Sequence, residues 1–182
     1  VDLLEAERRG IQVCYTPEAP APAVAELTIG LMLSLLRSIQ TANMELHRGD
    51  WNRYFGRRLE NCTVGIIGAG RIGSRVIRHL EGFDVKSVLV SDRNQKKVFH
   101  ERFNTSLVDK DTIFREADVV SLHLPLTVET RNMITKRNLL SMKHDAIILN
   151  TSRGGIINEQ DLYDVLKSGH LGGAAVDVFN KE

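Results

Sequence analysis

Cysteine is nearly absent from this chain: Cys14 and Cys62 are the only two in 182 residues. So few exclude a disulfide framework, and no Cys/His spacing matches a metal-ligand pattern. A reduced, cytoplasmic setting is what such sparing use predicts. An excess of one charge sign is also lacking. With 24 Lys and Arg against 23 Asp and Glu, the net charge is +1, which gives no electrostatic reason to expect nucleic acid or an anionic membrane as partner. Long apolar runs are missing too. The longest, Leu27 to Leu36, is interrupted by Thr28, Gly30 and Ser34 and falls short of the roughly 18 residues a membrane span needs. Nothing after Val1-Asp2-Leu3 has the basic and apolar regions of a targeting segment. Internal repeats and low-complexity segments are absent, and a soluble protein is expected.

What is present fits an ordinary α/β core, with 42% hydrophobic residues and 14 glycines. The length suits one domain. The most telling stretch is Val64-Gly65-Ile66-Ile67-Gly68-Ala69-Gly70-Arg71-Ile72-Gly73, followed by Asp92. A short apolar run ends in Gly-x-Gly-x-x-Gly, and an acid follows at the distance that a strand, a turn, a helix and a second strand require. Gly68 permits the turn, Gly70 lets the backbone approach a pyrophosphate, and Gly73 lets the helix pack closely. The helix start offers free N–H groups and the positive end of its dipole to phosphate. Asp92 is placed to accept hydrogen bonds from an adenosine ribose, and it disfavours the 2′-phosphate of NADP. NAD is the expected cofactor. Arg93, Lys96 and Lys97 nearby keep weak dual use open.

Along the chain, Gly10 to Tyr15 alternates as a short strand, and Pro22 is placed for the first turn of a helix. That helix is expected from about Ala23 to His47. Its first half is apolar on nearly every face, which predicts burial in a core or against another subunit, and a homodimer contact is favoured. From Asn61 onward, strands are expected at 62–67, 85–91, 118–123, 145–150 and 173–178. Helices are expected at 71–81, 109–116, 135–141 and 158–168. This alternation predicts a Rossmann-type, doubly wound parallel sheet with helices on both faces. Ligands in such a sheet lie beyond the carboxyl ends of the strands. There Arg153, followed by two glycines, suits bidentate capture of a carboxylate. Asp177 ends the next strand and is placed to hold a nicotinamide carboxamide.

These segments, in this order, resemble the cofactor domain of the D-isomer-specific 2-hydroxyacid dehydrogenases. The resemblance rests on Val24-Ala25-Glu26-Leu27-Thr28, the glycine fingerprint, and Leu122-His123-Leu124-Pro125-Leu126-Thr127 with Thr130. It continues with Asn150-Thr151-Ser152-Arg153-Gly154-Gly155 and Ala174-Ala175-Val176-Asp177-Val178-Phe179. It implies that Arg153 is the catalytic arginine, binding the substrate carboxylate and carbonyl oxygen, and that Glu182 pairs with a catalytic histidine. Arg71 and Ile72 are implied in pyrophosphate binding. Leu124, Pro125, Thr151 and Ser152 line the nicotinamide side, with Asp177 on the amide. The histidine lies past the glutamate in this family, so residues 1–182 are expected to be the NAD-binding domain of a longer protein whose substrate domain lies outside. Pro20 departs from the asparagine many relatives carry.

The resemblance implies an NAD-dependent oxidoreductase acting on a small D-2-hydroxy acid or 2-keto acid, inactive as this fragment alone. D-3-phosphoglycerate, and with it serine biosynthesis, is the first choice of substrate. Glyoxylate, hydroxypyruvate and D-lactate are the alternatives. A homodimer or higher homo-oligomer is expected, with no metal. A rival of another class is an NADH-sensing, non-catalytic corepressor-like protein. None of the six histidines stands where the family's catalytic one does, and His123 reads as part of a cleft wall. Tyr163 and Lys167 share the Tyr-x-x-x-Lys spacing of short-chain dehydrogenases, but they sit on an amphipathic helix without that family's glycine turn.

Overall fold

A computed structural model describes residues 2–93 and 105–181. The apolar segments after Asn61 become strands β1 (Thr63–Ile67), β2 (Ser87–Ser91), β3 (Thr105–Leu107), β4 (Val119–Leu122), β5 (Ile147–Asn150) and β6 (Gly173–Val176). All neighbouring strands run parallel, in the order β3-β2-β1-β4-β5-β6. The chain therefore starts at the centre, winds out to one edge, then returns to β4 and winds to the other. That reversal opens a crevice beyond the carboxyl ends of β1 and β4, where open parallel sheets bind ligands.

The helices are α1 (Leu3–Arg8), α2 (Ala21–Leu36), α3 (Ile39–His47), α4 (Arg71–Glu81), α5 (Lys110–Glu116), α6 (Lys136–Ser141) and α7 (Glu159–Lys167). Strand alternation sorts the core into two layers. Val64, Ile66, Val88, Val90, Val119, Ile147 and Leu149 pack with α2 and α4. Leu89, Val120, Leu122 and Ile148 pack with α5, α6 and α7. Both faces are covered, so the strands read as nearly unbroken apolar runs. The helix starts have local causes. Asp109 accepts from the Thr112 amide at α5, and Asn158 from the Asp161 amide at α7. At α6, Thr135 and Asn138 form a reciprocal capping box.

Three expectations are corrected. The single helix over 23–47 is two helices, bent by 64° between Leu36 and Ile39. Ser38 is left-handed there, at φ 53°, and the returning chain at Arg57 donates its amide to the Leu36 carbonyl at 2.9 Å. The apolar pattern also ends at Leu36. The second correction concerns burial on every face: α2 packs one face on α4 and the sheet of this domain, burying Ala25, Thr28, Ile29, Met32 and Leu36, while Leu27 on the other face is exposed. It is α3 that has no buried residue. Third, residues 11–16 form no strand, and Ile11, Val13 and Tyr15 are exposed; no strand lies beside them among the described residues. The sequence reading also passed over α1 and β3, both too short to show a period. No single helix among the described residues is long and apolar enough to cross a membrane.

Candidate functional site

The glycine turn is built as its spacing requires. Gly68 has φ +96°, and a Cβ there would stand 2.4 Å from the His123 carbonyl oxygen. A Cβ on Gly73 would fall 2.0 Å from the Gly68 oxygen, so α4 can lie this close to β1 only with glycine. Gly70 differs, because a Cβ there meets nothing within 4 Å. Open space therefore faces this residue, at the start of a helix with no side-chain cap. Bare amides, a helix dipole and a vacant approach are what a dinucleotide's pyrophosphate needs, so the residues present fit the cofactor.

Strand register aligns the other groups. Ile67 pairs with Ser91 on one side and Leu122 on the other, Leu122 with Asn150, and Asn150 with Val176. One residue further on, Asp92, Gly68, His123, Thr151 and Asp177 stand in one row across five strand ends. At about 4.8 Å per strand the row spans about 19 Å. The cleft beside its first part, about 470 Å³, is lined by Gly68, Gly70, Asp92, Arg93, His123, Leu124, Pro125 and others. Asp92 also accepts from the Ala69 amide at 2.7 Å, tying β2 to the turn.

His123 is the least expected member. Its Nε2 lies 2.9 Å from the Ser121 hydroxyl, while its Nδ1 is shielded from solvent and has no hydrogen-bond partner among the described residues. Burial pushes its pKa down to about 4, so the ring is neutral near pH 7. The unfolded chain binds a proton below about 6.5 that the folded chain refuses until about 4. Between those values, falling pH costs stability.

Asn150, which sequence reasoning missed, shapes the turn after β5. It is 2% exposed, accepts from both the amide and the hydroxyl of Ser152, and donates to the Arg153 carbonyl at 2.9 Å. An asparagine closing a strand before a Gly-rich turn is the signal that could have found it. Thr151 and Ser152 are themselves buried. The Thr151 hydroxyl lies 2.9 Å from that of Thr28 on α2, and Thr28 in turn donates to the Val24 carbonyl. Arg153 is exposed. Its Nη1 donates to the Ser152 carbonyl, and it lines a second hollow with Leu126, Arg131 and Phe179. The Asp177 amide donates to the Asn150 carbonyl, and its side chain is exposed.

Ile72 is half-buried against the core layer under α4. Arg71 donates through Nε to Glu18, at 2.5 Å, and Arg75 approaches the same carboxylate. Glu182, Lys96 and Lys97 lie outside the described residues. Tyr163 and Lys167 stack on each other along α7, and neither lines the cleft at the glycine turn.

Residues 29–182 match the family profile "D-isomer specific 2-hydroxyacid dehydrogenase, NAD binding domain". The chain belongs to that family. It is 40% identical over its whole length to the D-3-phosphoglycerate dehydrogenase of Methanocaldococcus jannaschii, of which it covers 35%. It is 39% identical, again over its whole length, to the glyoxylate reductase of Thermofilum pendens, of which it covers 56%. A solved D-lactate dehydrogenase from Aquifex aeolicus, complexed with NAD and lactic acid, superposes on the entire chain with a TM-score of 0.88 at 31% identity. The match takes in 55% of that structure. The chain thus spans about a third to a half of the length of these D-2-hydroxyacid dehydrogenases. Residues 29–182 correspond to the NAD-binding domain of that family.

Proposed function

We propose that this chain is the cofactor-binding part, residues 1–182, of a longer NAD-dependent dehydrogenase that interconverts a small D-2-hydroxy acid and its 2-keto acid. The row Asp92, Gly68, His123, Thr151, Asp177 carries this reading, because it orders an acid for the adenosine ribose, a pyrophosphate turn and an acid for the carboxamide along one edge. The bound cofactor supplies a hydride acceptor or donor. Arg71 and Ile72 hold the pyrophosphate with the start of α4, while Leu124 and Pro125 wall the cleft. Arg153 grips the substrate carboxylate with its planar fork and stabilises negative charge on the reacting oxygen. Glu182 raises the pKa of a histidine supplied from beyond this segment and fixes its orientation. Thr151 and Ser152 act through the backbone they fix beside the nicotinamide. Of the substrates, D-3-phosphoglycerate is preferred, which places the enzyme in serine biosynthesis, in the cytoplasm.

The test is calorimetry of the full protein with NADH and NADPH. NADH binds more tightly in the wild type. In Asp92→Ala its affinity falls tenfold or more while that for NADPH holds or improves, since the carboxylate both receives the ribose and repels a 2′-phosphate. Equal loss for both cofactors assigns Asp92 only the Ala69 contact and overturns its ribose role. Turnover of D-3-phosphoglycerate, glyoxylate, hydroxypyruvate and D-lactate then decides the substrate. NADH binding with no turnover of any of them favours the corepressor-like alternative.

We also propose a homodimer, with α3 and the segment after it as the contact. Ile39, Met44 and Leu46 are exposed on α3, and Trp51 and Phe55 beyond it are 80% and 98% exposed. Apolar surface of this kind is what an interface covers. Sedimentation of the full protein should give a dimer that Trp51→Glu with Phe55→Glu converts to monomer. A monomeric wild type overturns the proposal.

A further inference from the structure

We propose that His123 is a hydrogen-bond donor to the bound dinucleotide, placing Nδ1–H against an oxygen of its ribose-phosphate portion beyond the adenosine. The inference rests on the NAD-binding reading and names a contact within it.

The proton assignment follows from Ser121. Its side chain is 0% exposed, and His123 Nε2, at 2.9 Å, is the one partner its hydroxyl has among the described residues. A hydroxyl carries one proton to give, and a neutral imidazole has one accepting nitrogen. If Ser121 donates to Nε2, both groups are satisfied and the ring proton sits on Nδ1. The reverse arrangement leaves the serine proton buried without an acceptor. Nδ1–H then has no acceptor among the described residues and is closed off from solvent. Buried donors are almost always paired, and those left unpaired cluster where a ligand completes them.

Position supplies the ligand. In the row of strand ends, His123 stands between Gly68, at the pyrophosphate turn, and Thr151 and Asp177 on the nicotinamide side, and it lines the cleft itself. Asp92 lies on the other side of Gly68, so His123 faces the half of the cofactor that adenosine monophosphate lacks. A neutral donor suits that place, because it binds an oxygen without adding a charge that would hold the phosphates too firmly for release.

The experiment compares wild type and His123→Phe in the full chain, measuring calorimetric affinity for NADH and AMP and the thermal unfolding of the ligand-free protein. NADH affinity falls about tenfold, the loss of one hydrogen bond, while AMP affinity is unchanged. Ligand-free stability falls, because the buried Ser121 hydroxyl loses its one partner, so the decisive reading is NADH against AMP. A fall in stability with unchanged NADH affinity makes His123 a packing residue and overturns the proposal, and an equal loss for AMP overturns the assigned position. Should His123→Phe not fold, the nitrogen-15 signals of the wild-type ring, assigned with His123→Asn, decide instead. They show a proton on Nδ1 and shift on NADH saturation. A proton on Nε2, or no shift, overturns the proposal. Wild type that binds no NADH at all refutes the cofactor reading itself, which is a separate result.

Discussion

Arg153→Ala in the full protein lowers turnover about a thousandfold or more, while NADH binds as tightly as before. The magnitude follows from the two tasks lost together, a bidentate grip on the carboxylate and stabilisation of charge on the reacting oxygen. The selectivity follows from geometry. Arg153 opens onto the hollow it shares with Leu126, Arg131 and Phe179, whereas the cleft at the glycine turn is lined by other residues. The turn that carries Arg153 is held by three hydrogen bonds of the Asn150 side chain, to which the guanidinium adds one to the Ser152 carbonyl. Arg153→Lys keeps the charge but not the fork, and recovers only part of the rate. Steady-state kinetics paired with NADH titration read both effects. A loss of NADH affinity comparable to the loss of rate would falsify the substrate role of Arg153.

Gly70→Ala and Gly73→Ala should fail in opposite ways, although they lie three residues apart. A Cβ on Gly73 falls 2.0 Å from the Gly68 oxygen, so α4 must move off β1. That displacement loosens the layer holding Val76, Ile77 and Leu80 against the sheet, at a cost of roughly 2–4 kcal/mol, as for other core disruptions. A Cβ on Gly70 touches nothing, so the fold keeps its melting temperature. The new methyl group instead occupies the approach to the helix amides, and NADH affinity falls tenfold or more. Thermal unfolding and NADH titration of both variants check the pair. Equal destabilisation by the two would mean that the space before Gly70 has no functional claim on it.

The parallel doubly wound sheet and the glycine turn were legible because each has a local cause: β1, β2, β4 and β5 are largely buried apolar runs, and Gly68, Gly70 and Gly73 answer to spacing alone. The break at Ser38 was not, since it depends on Arg57 returning to cap Leu36 from 21 positions away. β3 was lost because three residues carry no period. Among the site residues, Arg153, Asp177 and Asp92 could be placed from their positions after strands. Thr28 could not, because its hydroxyl reaches Thr151 across 123 residues. The unpaired nitrogen of His123 was equally hidden. Whether a histidine on a strand end is satisfied depends on what surrounds it, and Ser121, two residues before it, satisfies only one side of the ring.

The turn at Gly154 bears on how the substrate site answers to its surroundings. A Cβ at that glycine would stand 1.9 Å from the Phe179 carbonyl oxygen, so the backbone leaving β6 rests directly on the backbone carrying Arg153. On its other side the same turn is fastened to Asn150, which the sheet holds. Clamped on one flank and bearing on a fulcrum at the other, the backbone at Arg153 and Gly154 has no room to shift towards residues 178–180 unless they shift with it.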